Sequence, residues 1–289
     1  MRKRIKLIAN PISGGDARLA IEKAVGFLEE AGAQVDLYLS RQRGDARAEA
    51  ARFPCASFDL VIAAGGDGTL NEVANGLIGR ELPLAFLPLG TANVMALEMG
   101  IPPTLEGACR VALYGPIRSV ALAALADNYF LMMAGVGYDA AAVRAVSSSL
   151  KRRMGKLAYL FAGISALVSY RPTRLKLETE EGENFLAWHV IITNIKLYGG
   201  RFQLAPAAGL DRPKLIACLI DRPGRIAILI FWLRVLLRGH LIGDVHRIES
   251  AGFKISGAAA PVQVDGDDYG DTPLEIRSRS GLLVMVFPS

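Results

Sequence analysis

The sequence of 289 residues is poor in cysteine and histidine and contains no long uninterrupted apolar run. Its cysteines, Cys55, Cys109 and Cys218, lie far apart without CxxC spacing, which excludes a disulfide framework and a zinc signature and fits a reducing cytosol. The histidines also lack metal-ligand spacing, and His189 falls in a strand-like run that indicates a structural role. We therefore expect a cytoplasmic protein and assign no residue as a metal ligand.

The most apolar stretch, residues 226–237, is too short to span a bilayer, which needs about 20 residues. One interpretation is a buried helix of a second domain. The other is a helix at the inner membrane face, with Phe231 and Trp232 inserted and neighbouring arginines at the headgroups. Peripheral membrane contact therefore stays open at this point.

Charge and length set further bounds. The net charge of +5 and the pI of about 9.2 indicate attraction to anions, which include nucleic acid, phosphorylated ligands and acidic membrane surfaces. With 52% hydrophobic residues, the chain can bury one large core or two ordinary ones, and we predict two domains.

The first domain, residues 1–124, alternates short apolar strands with amphipathic helices. We predict strands at 5–9, 34–39, 60–64 and 84–87 and helices at about 17–31, 46–52, 70–78 and 94–99. This alternation predicts an α/β fold with a doubly wound parallel sheet.

The second domain, residues 125–289, is strand-rich, and we predict an antiparallel β-sandwich. Strands are expected at 129–133, 174–179, 187–193, 215–220, 253–256, 262–264, 274–277 and 282–287, and a helix at about 156–168.

Three loops of the first domain follow strands and carry similar residues: 10–15, 65–71 and 88–93. Ligands of open parallel sheets bind beyond the carboxyl ends of the strands, so these loops should converge. The central loop favours a phosphate, because its glycines admit a bulky anion to a helix N-terminus. Asp67 could orient a magnesium ion, a water or an acceptor hydroxyl, or could simply cap the helix.

A second acidic segment, Asp265-Gly266-Asp267, follows a predicted strand near the C-terminus. A phosphoryl transferase needs a carboxylate that accepts the proton of the attacking hydroxyl or holds a metal. The alternative is an ordinary hairpin turn, for which Asp-Gly is a favoured sequence.

Four motifs in this order and spacing resemble the diacylglycerol kinase catalytic-domain family, which includes bacterial lipid kinases and sphingosine kinases. They are NPISGG (10–15), AGGDGTLNEVANGL (64–77), PLGTANVMA (88–96) and VQVDGD (262–267). Residues 135–139, 155–159 and 194–200 add weaker landmarks, so that the resemblance extends over nearly the whole chain.

The resemblance implies an ATP- and Mg²⁺-dependent kinase that phosphorylates a hydroxyl of a membrane lipid. It implies ATP contacts along Asn10, Ser40, Gly65, Gly66, Asp67, Gly68, Thr69, Leu70, Asn71 and Thr91. It also implies that the last strand, near 282–287, returns to the first domain. The expected partner is a lipid at a membrane surface and not nucleic acid, and a homodimer is kept as one oligomeric alternative.

Three departures from the family pattern leave the proton acceptor open. Asp267 stands where the family has glutamate, so Asp267, Asp265 or Asp67 could serve as the catalytic base. Ala121 replaces an aspartate of many members, and an Asp211-Arg212 pair interrupts the family's structural magnesium stretch. Two rival functions follow: a soluble-substrate kinase of the NAD kinase type, or a catalytically weak regulator that binds nucleotide or lipid.

Overall fold

A computed structural model describes residues 1–145, 170–200, 202–224, 226–228, 230–231, 234 and 245–289. It divides into two compact units: Met1–Leu122 with Ser280–Ser289, and Ala123–Arg279. The predicted helix at 156–168 and the landmark at 155–159 lie outside the described residues.

The first unit contains a parallel sheet with the strand order β2-β1-β3-β4. Its strands are β1 (Arg4–Ala9), β2 (Gln34–Leu39), β3 (Leu60–Gly65) and β4 (Leu84–Pro88). Its helices are α1 (Ala17–Glu30), α2 (Asp45–Arg52), α3 (Asp67–Leu77), α4 (Val94–Met99) and α5 (Leu105–Tyr114), and a short 3₁₀ turn spans Cys55–Ser57. Near the C-terminus, Met285 pairs in parallel with Leu84, so the last strand does return to this unit.

Apolar burial on both faces explains this sheet. Every residue of β3 is buried, as expected for a central strand covered by helices on two sides. Helix α5 was not predicted, although its N-terminus carries a recognisable signal: the Thr104 hydroxyl accepts a 3.2 Å hydrogen bond from the Gly107 N–H.

The second unit is a β-sandwich that also contains the helix α6 (Tyr138–Ala145). Strand β5 (Ile117–Leu125) enters it from the first unit. The strands that follow are β6 (Asn128–Phe130), β7 (Met133–Val136), β8 (Leu175–Thr179), β9 (Asn184–Ala187), β10 (His189–Thr193), β11 (Leu197–Tyr198), β12 (Phe202–Gln203), β13 (Leu215–Ile220), β14 (His246–Ser250), β15 (Gly252–Gly257), β16 (Pro261–Val264), β17 (Asp267–Asp271) and β18 (Leu274–Val286).

One sheet of the sandwich has the order β14-β13-β10-β7-β16-β17. The facing layer contains β8, β9, β15 and the start of β18, together with the β5–β6 hairpin. Buried residues of both layers form one cluster, in which Val136 and Ile192 meet Leu177, Phe253 and Ile276. The predicted fold class, a parallel α/β sheet followed by a β-sandwich, is confirmed.

Three predicted strand boundaries were wrong. The segment 129–133 is split into β6 and β7, because the N–H groups of Leu131 and Met132 bind a carboxylate instead of a neighbouring strand. The segment 187–193 breaks at Trp188, where the chain leaves the β8–β9 layer for the other sheet. The segments 274–277 and 282–287 are a single strand, β18.

Candidate functional site

The glycine-rich loop joins β3 directly to α3. Gly66, which has no side chain, occupies the N-cap, and the first helical bond runs from the Leu70 N–H to the Gly66 carbonyl at 3.1 Å. The N–H groups of Gly68 and Thr69 therefore belong to the first turn, where an α-helix offers no carbonyl acceptor. This end of α3 presents donors and a positive dipole to an anion.

The structure brings the three predicted loops together at the carboxyl edge of the sheet. The N–H groups of Leu89 and Gly90 donate to the Gly65 carbonyl at 2.7 and 3.1 Å. A Cβ added to Gly90 would lie 2.6 Å from the Gly66 Cα, and one added to Gly14 would lie 2.4 Å from the Leu89 oxygen. Only glycine permits this backbone-to-backbone approach.

Asn10 and Ser40 lie beside each other where β1 and β2 end. The N–H groups of Asn10 and Ser40 both donate 2.9 Å hydrogen bonds across this edge, to the carbonyls of Ala64 and Ala9 respectively. The Asn10 side chain accepts from the Ile12 N–H at 3.0 Å, which turns the first loop. Thr91 is exposed in the third loop.

The side chains of Thr69 and Leu70 point into the fold. Both are buried, and a Cβ on Gly65 would lie 2.5 Å from the Thr69 hydroxyl oxygen. Asn71 accepts a 3.0 Å hydrogen bond from Asn75 on the next turn of α3. In this part of the motif, backbone groups and not the Thr69 or Leu70 side chains face the loop opening.

Asp67 is the first residue of α3, but its side chain caps the N-terminus of α4. Its two carboxylate oxygens accept hydrogen bonds from the N–H groups of Val94 and Met95, each at 3.0 Å, at the start of α4. Burial raises the pKa of Asp67, and these backbone donors oppose the rise. The carboxylate thus holds the third loop against the second.

Glu72 received no role from the sequence, yet it anchors the loop after β2. Its carboxylate accepts from the Gly44 N–H at 3.0 Å, and Asp45 accepts from the N–H groups of Arg41 and Gln42 at 2.9 and 3.2 Å. A Glu directly after the glycine-rich turn was the available signal, but its partner lies 28 residues away in the chain.

The Asp265–Gly266 pair forms a tight hairpin turn between β16 and β17. Both residues have positive φ, 48° and 85°, as a type I′ turn requires. The Asp265 carboxylate accepts from the N–H groups of Leu131, Met132 and Met133 at 3.2, 3.1 and 2.9 Å. Asp267 pairs with Val264 at the start of β17, and its side chain is exposed.

The apolar segment, residues 226–237, is helical at its described positions, some of which are buried and others exposed. Ile228 and Phe231 are each 2% exposed, whereas Ile226 and Ile230, one turn apart, are 73% and 45% exposed. Phe231 therefore packs in the core, and Trp232 lies outside the described residues. Within the described ranges, no helix has the length and apolarity needed to cross a bilayer.

Comparison with known proteins gives matches across the chain. Residues 4–125 match the family model of the diacylglycerol kinase catalytic domain. Residues 132–287 match the model of the YegS C-terminal NAD kinase beta sandwich-like domain.

Three similar proteins are named diacylglycerol kinases. The diacylglycerol kinase of Bacillus subtilis (strain 168) is 31% identical over 284 residues, which cover 94% of this chain and 92% of that protein. The diacylglycerol kinase of Staphylococcus aureus (strain JH9) is 34% identical over 229 residues, covering 77% and 72%. A crystal structure of a diacylglycerol kinase from Bacillus anthracis has the same fold, with a TM-score of 0.80 at 24% identity over 99% of this chain and 97% of that one.

Proposed function

This chain belongs to the diacylglycerol kinase catalytic-domain family, and we propose that it transfers the γ-phosphate of ATP to a hydroxyl group of a membrane lipid. Diacylglycerol is the first candidate, because the similar curated proteins are named for it. Sphingoid bases and related lipid alcohols are the next candidates. A soluble acceptor of the NAD kinase type is less well supported, since the similarity to diacylglycerol kinases covers both halves of the chain.

The observation that carries the proposal is the open N-terminus of α3. Gly66 and Gly68 leave room for a phosphate beside first-turn N–H groups, and Gly90 approaches from the neighbouring loop. We assign phosphate binding to these backbone groups and place Asn10, Ser40 and Thr91 around them. Bound ATP would supply the transferred phosphoryl group, and Mg²⁺ would neutralise its negative charge.

The described residues also bear on how Mg²⁺ would be held. Among them, no three His, Cys, Asp or Glu side chains lie close enough to hold a metal ion. Proteins usually bind Mg²⁺ through one or two carboxylates together with substrate phosphates. We propose that the Mg²⁺ ion arrives with ATP and is bound mainly through its phosphates.

Asp267 is our choice for the proton acceptor. Asp67 and Asp265 each use both carboxylate oxygens to hold backbone N–H groups, so they suit structural roles. Asp267 is exposed on the same hairpin and occupies the position of the family's glutamate, one methylene shorter. It would take the proton from the lipid hydroxyl as that oxygen attacks phosphorus.

Access to a lipid requires contact with a membrane surface. The exposed pair Ile226 and Ile230 supplies apolar side chains for shallow insertion, and the positive net charge favours anionic headgroups. We place the reaction at the inner face of the membrane, where ATP is present.

The test is phosphate transfer from labelled ATP to vesicles that contain diacylglycerol, a sphingoid base or neither, with NAD as a soluble acceptor in a parallel assay. Wild-type protein should label a lipid, and Asp267→Asn should lower kcat about 10²–10⁴-fold, the usual contribution of a general base. Asp127→Asn, which changes another exposed carboxylate of the same unit, is the matched control. Labelling of NAD alone, or ATP binding without any transfer, would reject the lipid kinase assignment.

A further inference from the structure

We propose that Asp139 and Gln263 are positioning residues that set the conformation of the Asp265–Asp267 turn and hence the direction of the Asp267 carboxylate. The inference rests on the proposed function, in which Asp267 accepts the proton. It gives a role to a buried series of hydrogen-bonded side chains that takes no part in phosphate binding.

The chain of hydrogen bonds begins at α6 and ends at the turn. The Tyr198 hydroxyl donates to Asp139 Oδ1, and Gln263 Nε2 donates to Asp139 Oδ2 at 2.7 Å. The other end of the same amide, Gln263 Oε1, accepts from the Gly266 N–H at 2.8 Å. Because Gln263 is 2% exposed and must donate at one end and accept at the other, its orientation is determined by Asp139.

The space for this carboxylate is reserved by a glycine. Gly135 lies opposite Gln263 in the β7–β16 register. A Cβ on Gly135 would lie 2.1 Å from Asp139 Oδ2 and 2.8 Å from Gln263 Nε2. No other residue type fits there with the network intact.

Electrostatics point to the same role. Burial raises the pKa of Asp139, whereas the hydrogen bonds from Tyr198 and Gln263 lower it. Oδ2 accepts from Gln263 Nε2, a group that can only donate. Burying polar side chains costs free energy, and apolar residues could support a hairpin without that cost. Asp139 instead defines which end of the Gln263 amide faces Gly266.

The other end of α6 holds the strand that follows the turn. Arg144 Nε and Nη2 bind the two oxygens of Asp268 at 3.1 and 2.9 Å, and Nη1 binds Asp271 at 3.1 Å. One helix thus fixes the backbone on both sides of Asp267: Asp139 acts before it through Gln263, and Arg144 acts after it.

The experiment compares kcat and the KM for ATP in wild type, Gln263→Leu and Gln263→Glu, with Thr179→Val as control. Thr179 is also a buried polar residue of the sandwich and binds a backbone N–H, that of Glu183, at 3.2 Å. Gln263→Leu should lower kcat about 10–100-fold, the usual loss when a supporting partner is removed. Its KM for ATP should stay within about twofold, and Thr179→Val should keep wild-type kcat.

Gln263→Glu supplies a readout that a merely structural role would not move. A protonated glutamic acid can donate to Asp139 and accept from Gly266, but its ionised form repels Asp139. Activity of this variant should therefore be regained at low pH and fall, relative to wild type, as pH rises. A pH profile parallel to that of wild type, or Gln263→Leu with unchanged kcat, would overturn the inference.

Amide hydrogen exchange at Gly266 separates this inference from the proposed function. In folded Gln263→Leu, the Gly266 N–H should exchange at least about tenfold faster than in wild type, because its acceptor is lost. Unchanged exchange would contradict the positioning role. Absence of lipid phosphorylation by wild type would reject the proposed function, while the exchange measurement would still decide the inference.

Discussion

The substitution Gly68→Ala tests nucleotide binding separately from folding. Gly68 is exposed in the first turn of α3, and an added Cβ would have no heavy atom within 4 Å. Gly26, in the interior of α1, offers the same free space. Gly68→Ala and Gly26→Ala are therefore sterically matched in the protein without nucleotide, and only the first lies at the candidate phosphate site.

The expected magnitudes follow from helix propensity and hydrogen bonding. Alanine in place of a helical glycine stabilises by about 0.5–1 kcal/mol, so both variants should unfold about 1–4 °C above wild type. The Cβ of a helical residue tilts toward the N-terminus, which at Gly68 is toward the phosphate. Displacing the phosphate from one N–H costs about 1.5–3 kcal/mol, so the Kd for ATP should rise about 10- to 100-fold in Gly68→Ala alone.

Isothermal titration with a non-hydrolysable ATP analogue measures the Kd, and scanning calorimetry without nucleotide measures the unfolding temperature. Equal nucleotide affinity in Gly68→Ala and Gly26→Ala would refute phosphate binding at the start of α3. A loss of affinity accompanied by a lower unfolding temperature would refute the argument that the site has room for the methyl group.

Three further predictions concern stability and membrane contact. Burial lowers the pKa of His189 to about 4 from 6.5, so the unfolded chain binds a proton that the folded chain excludes. The contribution of His189 to the free energy of unfolding is therefore fully present above about pH 6.5, and about 3 kcal/mol of it is lost as the pH falls toward 4. Urea unfolding at pH 6.5 and pH 4 should show this loss, and His189→Leu should weaken the dependence of the unfolding free energy on pH. An equally steep pH dependence in that variant would contradict the role of His189. Asp265→Ala removes three hydrogen bonds and puts alanine at φ 48°, which should cost at least about 3 kcal/mol in urea unfolding, whereas Asp265→Asn should lose less. Ile226→Ser with Ile230→Ser should lower binding to anionic vesicles at least about tenfold in a flotation assay without changing the Kd for ATP, and equal flotation would remove this surface from the docking proposal.

Much of the first unit could be predicted because its determinants are local. Short apolar runs, such as all of β3, alternate with amphipathic helices, and the connections between them are brief. The position of the three loops then follows from the parallel sheet itself. The Asp265–Gly266 hairpin was also foreseeable, because that dipeptide favours a type I′ turn in any context.

The partners of the acidic side chains could not be predicted, because they are distant in sequence. Asp67 binds N–H groups 27 and 28 residues away, and Asp265 binds groups 132–134 residues away. No periodicity or spacing within one segment carries that information. The same long-range bonds caused the missed break between β6 and β7, since Leu131 and Met132 donate to Asp265 instead of continuing a strand.

The hydrogen bonds also change how the GGDGTLNE motif should be understood. Asp67 holds α4, the buried Thr69 and Leu70 side chains pack inside the unit, and Glu72 holds the loop after β2. The glycines and the first-turn N–H groups are what remains to face a ligand. Most side chains of the motif therefore shape the site, and we propose that phosphate binding falls to its backbone groups and proton acceptance to Asp267. Substitution of Asp67 should accordingly lower stability and ATP affinity together, whereas substitution of Asp267 should lower kcat alone.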